Sequence, residues 1–140
     1  MLPIEELILH HSGSTATWLE LERWWRQQNL RSYYHWLVGY VDGSPQIIKG
    51  LQDFKRGQHI KLMNTHRIGI CVIGDYSDLN PDRALMKKLD VLVYFLVEEH
   101  EKINKISPHN KHYDTICPGP YLTQYAKEWN IFLKNVKRGR

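Results

Sequence analysis

A chain of 140 residues with 42% hydrophobic and 24% charged residues has the composition of one globular domain with a modest core, residues 1–140, and excludes a disordered or fibrous class. The net charge of +4 sits largely in the tail from Lys134 to Arg140. With no recognition motif beside it, that charge is too small to make nucleic-acid binding the main function. Two cysteines, Cys71 and Cys117, exclude a disulfide framework, and no stretch approaches a membrane span. Acids at Glu5 and Glu6 stand where a basic signal-peptide segment would be, so synthesis in the cytoplasm is expected.

Ile4 to His11 is rich in Ile and Leu and ends in a Gly/Ser cluster, which predicts a buried strand presenting His10 and His11 at its end. Side chains alternate along a strand, so only one of the two histidines can serve a given site, and parity does not choose between them. Thr17-Trp18-Leu19-Glu20 has capping-box spacing and opens a helix that runs to about Asn29, with Trp18, Leu21 and Trp25 on its core face. Ser32 to Val41 is aromatic and β-branched and reads as a strand. Asp42-Gly43 marks a hairpin turn, with Pro45 to Leu51 returning as the partner strand. Arg67 to Asp75 reads as a mostly apolar strand covered on both faces. Asn80-Pro81-Asp82 starts a helix, with a side-chain cap followed by proline in the first turn. Its apolar face, through Leu85, Leu89, Leu92, Val93 and Leu96, extends to about Asn104. A loop bounded by prolines, Ser107 to Pro120, precedes a last amphipathic helix through Leu122, Tyr125, Ala126, Trp129 and Leu133. Strands interspersed with helices predict an α/β fold, a three-layer sandwich whose central mixed sheet is flanked by about three helices.

The residues suited to chemistry lie in two distant pieces, Ile8 to Ser14 and Pro108 to Gly119. Histidine imidazoles and a cysteine thiolate are good zinc donors, and three protein ligands leave a catalytic zinc one open position. His109 and Cys117 are eight residues apart, an irregular loop spacing unlike a zinc finger, and no second cysteine pair is present to close a structural site.

Taken together and in order, ILHHSGS, ERWW, YYHWLVGYVDG, RIGICVIGD and PHNKHYDTICPG resemble the zinc-dependent N-acetylmuramoyl-L-alanine amidases, the family of T7-type phage lysozyme and the peptidoglycan recognition proteins. Trp36 stands where the family has Phe. The resemblance spans nearly the whole chain and implies a Zn2+ cofactor held by His10, His109 and Cys117, with His10 chosen over His11. It implies that Tyr34 assists catalysis, with Thr115 as a second hydrogen-bond donor to the oxyanion. His59 and Asn64 match residues lining the substrate cleft. The implied reaction is hydrolysis of the amide between N-acetylmuramic acid and L-alanine in peptidoglycan, by a monomeric endolysin made in the cytoplasm and acting on the cell wall after release. The alternative is a non-catalytic module binding peptidoglycan or a regulatory protein partner, and family analogy adds phage RNA polymerase as a partner. No membrane partner is implied.

Departures from the family pattern are local. Pro108-His109-Asn110-Lys111 replaces the frequent Gly-His-Arg-Asp. Thr115 replaces the lysine of T7-type members, and Lys111 or His112 is a candidate source of the missing positive charge. Cytoplasmic muropeptide-recycling relatives carry Asp and Glu where this chain has Cys117 and Cys71, which argues against a recycling role and makes Cys71 a buried core thiol.

Overall fold

The computed structural model describes residues 3–53 and 65–138. Its strands are β1 (Glu6–His11), β2 (Trp36–Val41), β3 (Ser44–Lys49), β4 (Arg67–Val72) and β5 (Lys105–Pro108). They form one sheet in the order β3-β2-β4-β1-β5. All neighbours are parallel except β2 and β3, which form an antiparallel hairpin. Asp42 and Gly43 close that hairpin with φ of 51° and 79°, the left-handed pair that a two-residue turn with the strands' own twist demands.

The α-helices among the described residues are α1 (Trp18–Gln27), α2 (Arg83–Glu99) and α3 (Pro120–Arg138). Helix α1 begins at a complete capping box, in which Thr17 accepts from the Glu20 amide and Glu20 accepts from the Thr17 amide. Helix α2 is capped by Asp82, which accepts from the Leu85 amide at 2.9 Å. The expected cap at Asn80 is therefore displaced by two residues, and Pro81 precedes the cap instead of opening the first turn.

Side-chain alternation divides the core between the sheet's two faces. On one face Leu7, Leu9, Val38, Ile68, Ile70, Val72 and Ile106 pack against the apolar stripes of α2 and α3. On the other, Leu37 and Cys71 meet Trp18 and Trp25 of α1, with Tyr34 packed alongside. Burial of both faces explains why β1 and β4 read as continuous apolar runs, and the layering agrees with the expected three-layer α/β sandwich.

Three boundaries differ from the sequence expectation. The strand expected from Ser32 starts at Trp36, because the Ser32 hydroxyl accepts from the Tyr34 amide at 2.9 Å and turns the chain locally. Helix α2 stops at Glu99 rather than near Asn104. There the Ile103 amide bonds His100, the Asn104 amide bonds Glu5, and the chain re-enters the sheet as β5. Sequence pattern alone assigns this fifth strand to helix end and loop. It has only four residues and pairs with the sheet on one side alone.

Candidate metal centre

The two distant pieces meet because β1 and β5 are adjacent and parallel. Leu9 stands opposite Pro108 in their register, so the next residue of each chain is a histidine, His10 on one and His109 on the other. Their ring centroids lie 4.5 Å apart. The loop after His109 returns Cys117 to the same point. Its Sγ is 3.9 Å from His10 Nδ1, and one donor atom from each of His10, His109 and Cys117 lies within 4.8 Å of the others. Tetrahedral zinc with Zn–N and Zn–S bonds of about 2.0 and 2.3 Å needs donors roughly 3.3–3.5 Å apart. The trio is therefore within a small side-chain adjustment of coordination. His109 Nδ1 is buried without a hydrogen-bond partner, an arrangement that a native site rarely leaves uncompensated and that a cation would relieve. Donor chemistry and this orphaned nitrogen both fit zinc.

The observed register separates the two histidines. His10 lies opposite Cys71, which in turn lies opposite Leu37, so its ring belongs to the α1 face together with Tyr34, 5.0 Å away between ring centroids. The His11 ring points to the other side of the strand, where Nδ1 accepts from the Tyr76 amide at 3.0 Å. The residue still serves the site through its backbone. The His11 amide donates to Cys117 Sγ at 3.3 Å, a bond that favours the thiolate.

The loop carrying His109 and Cys117 is fixed at several points. His109–Lys111 forms a 3-10 turn, closed by the His112 amide on the His109 carbonyl at 3.0 Å. The Asn110 amide bonds the Cys117 carbonyl at 3.0 Å, and the Asn110 side chain donates to the Thr123 hydroxyl at 2.9 Å. The His109 ring stacks on Tyr113. Gly119 (φ 93°) presses so close to Tyr76 that a Cβ there would lie 2.0 Å from the Tyr76 carbonyl oxygen, so only glycine fits.

Burial controls the charge states. It pushes the Cys117 thiol up to about 11, with the His11 amide pulling in the opposite direction. It lowers the His109 pKa, helped by His112 and His11, so that ring is a neutral donor at neutral pH. It raises the Tyr34 phenol well above its ordinary value, with Cys71 and Cys117 adding to the effect, so Tyr34 stays protonated and able to donate. The Thr115 hydroxyl accepts from the Cys117 amide at 3.2 Å, which leaves its own proton free to point elsewhere.

Of the expected site residues, His10, His109, Cys117, Tyr34 and Thr115 are gathered here. His59 and Asn64 lie outside the described residues. Of the two candidate cations, Lys111 is exposed, whereas His112 is only 14% exposed at its side chain and holds Glu6 through Nε2 at 2.8 Å. Sequence reasoning passes over Glu6, a carboxylate almost fully buried at 1% exposure. Its signal is an acid at the head of a strand that is otherwise apolar.

Residues 1–120 match the family model described as N-acetylmuramoyl-L-alanine amidase. A peptidoglycan-recognition protein of Drosophila simulans is 26% identical over 143 residues, spanning 92% of this chain and 76% of that protein. Among solved structures, the endolysin amidase LysCS of Clostridium intestinale superposes with a TM-score of 0.72 at 22% identity, over 85% of this chain and 76% of its own. A variant of Drosophila PGRP-LB in complex with tracheal cytotoxin gives 0.74 at 23% identity, over 91% and 82%. With a family model covering most of its length, an α/β sandwich shared with these structures and the two strand ends meeting as described, the chain belongs to the N-acetylmuramoyl-L-alanine amidase family.

Proposed function

We propose that this protein is a zinc-dependent hydrolase that cleaves the amide joining the lactyl group of N-acetylmuramic acid to L-alanine in peptidoglycan, in the manner of an endolysin. The observation that carries the reading is the convergence of His10, His109 and Cys117, with the buried His109 Nδ1 unpartnered and the Tyr34 ring beside His10. When bound, zinc supplies a Lewis acid for the scissile carbonyl and lowers the pKa of a water to about 7. His10 and His109 would hold that ion as neutral donors, and Cys117 would do so as a thiolate steadied by the His11 amide. Tyr34, kept protonated by burial, donates to the carbonyl oxygen as negative charge develops on it, an effect typically worth about 3–4 kcal/mol in such sites. Thr115 donates a second hydrogen bond from the loop. It carries no charge, so the burden of oxyanion stabilisation falls on Tyr34.

A second reading, binding of peptidoglycan without cleavage, draws support from the recognition proteins among the relatives, including a structural neighbour bound to tracheal cytotoxin. Retention of Cys117 and of the complete donor trio favours the hydrolase. The deciding experiment follows the turbidity of purified cell walls together with mass spectrometry of the released muropeptides. Clearing that frees L-alanine amino termini and disappears in Cys117→Ala supports hydrolysis. Wall binding without clearing, from zinc-loaded protein, would establish the binding module instead.

A further inference from the structure

Away from the donor trio, three polar side chains from three parts of the chain converge on one buried carboxylate. Glu6 opens β1 on the same face as His10. Its Oε1 accepts from Arg67 Nε of β4 at 2.9 Å. Its Oε2 accepts from the Ser107 hydroxyl of β5 at 2.5 Å and meets His112 Nε2 at 2.8 Å. A carboxylate so deeply buried is tolerable only when paired and hydrogen-bonded. Burial alone would raise its pKa, but Ser107, His112 and Arg67 together hold it below the ordinary carboxylate value. Glu6 is therefore an anion in the folded protein, fixed by β4 and β5 and reaching out to the loop.

His112 is its only loop partner among these three, and it lies one turn beyond the candidate ligand His109. The His112 amide bonds the His109 carbonyl, so a pull on the His112 ring passes directly into the turn that aims the His109 ring. Asn110, beside His109, is tied by its amide to the Cys117 carbonyl and by its side chain to the Thr123 hydroxyl of α3, whereas the Glu6–His112 contact ties the His109 turn to β1. We propose that Glu6 and His112 form a clamp that sets the position of His109 for metal, making both of them positioning residues of the centre described above. The inference rests on that centre being a zinc site. It assigns Glu6 a task that its distance from the donors would not suggest, since it lies four positions from His10 along an extended strand. It also gives His112 a role other than the free cation the sequence invites.

The test is zinc affinity of the purified full chain, measured by competition with a chromophoric chelator, together with the visible spectrum of the cobalt-substituted protein. Glu6→Gln and His112→Ala should each weaken zinc binding about tenfold or more, the range seen when outer partners of metal ligands are removed. Both should shift the cobalt ligand-field bands, which report donor geometry and do not respond to global stability. The double variant should be no weaker than the weaker single one, because both act through one contact. Asp53→Asn breaks a partly buried cluster with Lys49 and His100, beside β3 at the opposite edge of the sheet, and should leave affinity and spectrum unchanged. Should Glu6→Gln fail to fold, His112→Ala, which leaves Glu6 paired with Arg67 and Ser107, carries the test alone. Wild-type affinity and an unshifted cobalt spectrum in His112→Ala would overturn the clamp and leave the zinc reading intact. A wild-type chain that takes up no zinc would overturn both.

Discussion

The Cys117 thiol makes a quantitative prediction about metal loading. Burial pushes it up to about 11, so at pH 7 it is a thiol and must shed its proton to become a ligand. The sign follows directly: a raised pKa favours the protonated form, protons compete with metal, and apparent affinity rises with pH throughout the range below about 11. Four pH units below that value, the competition amounts to about 10⁴ in apparent affinity, or roughly 5 kcal/mol. The His109 pKa is lowered, so that ring is already deprotonated across neutral pH and adds no slope there. Zinc affinity measured by chelator competition between pH 7 and 9 should therefore rise about tenfold per pH unit more steeply in wild type than in Cys117→Asp, whose carboxylate is ionised throughout. Ionisations common to the two proteins cancel in that difference. Equal slopes would refute the reasoning, because they would mean that Cys117 is either already a thiolate in the metal-free protein or not a ligand.

Tyr34→Phe removes only the phenol hydroxyl, so zinc stoichiometry should hold while kcat on cell-wall substrate falls about 10²-fold with KM little changed; an unaltered kcat would remove Tyr34 from the mechanism. Gly119→Ala must force either the left-handed backbone or the Tyr76 carbonyl to move, and should lower stability by about 1–3 kcal/mol in thermal unfolding and weaken zinc binding with it. The Asn130 side chain brackets Ile106 of the edge strand β5, accepting from its amide at 2.7 Å and donating to its carbonyl at 2.5 Å. Asn130→Ala leaves both groups unsatisfied and should cost about 1–3 kcal/mol by urea denaturation, and a midpoint within error of wild type would show that water replaces the amide.

What the sequence discloses, and what it hides, divides along the range of the interactions involved. Capping at Thr17, the Asp42-Gly43 turn and the apolar stripes of α2 and α3 are written in a few adjacent residues, and each is legible. The strand β5 is not, because Lys105–Pro108 is too short for a period to emerge and draws its pairing from β1, about a hundred residues earlier in the chain. Asp82 displaces Asn80 as the cap of α2 for a similar reason. Both are good capping residues, and the Tyr40 hydroxyl, which meets Asp82 at 2.5 Å, is contributed by a distant strand. At the site, His109 and Cys117 are visible as donor chemistry, whereas Tyr34 is singled out only by the family resemblance. The pairing of Glu6 with His112 is not, since nothing local links residues 106 positions apart. The choice between His10 and His11 is undecidable by parity alone, and the structure uses both, one through its ring and the other through its backbone amide.

The candidate metal centre can be understood as a property of strand register. Parallel pairing sets Leu9 opposite Pro108, and His10 and His109 follow as the next residue on each strand. A slip of one residue in β5 would carry every side chain of that strand to the opposite face. Ile106 would leave the α3 layer, Ser107 would leave Glu6, and His109 would turn away from His10. Register in so short a strand cannot be secured by its own ladder. It is secured from both faces and from the edge: by Ile106 in the apolar core, by the Ser107 hydroxyl on Glu6, and by Asn130 gripping the Ile106 backbone. The same contacts that make four residues behave as a strand therefore decide where an imidazole lands, so folding of this edge and assembly of the ligand set are one event.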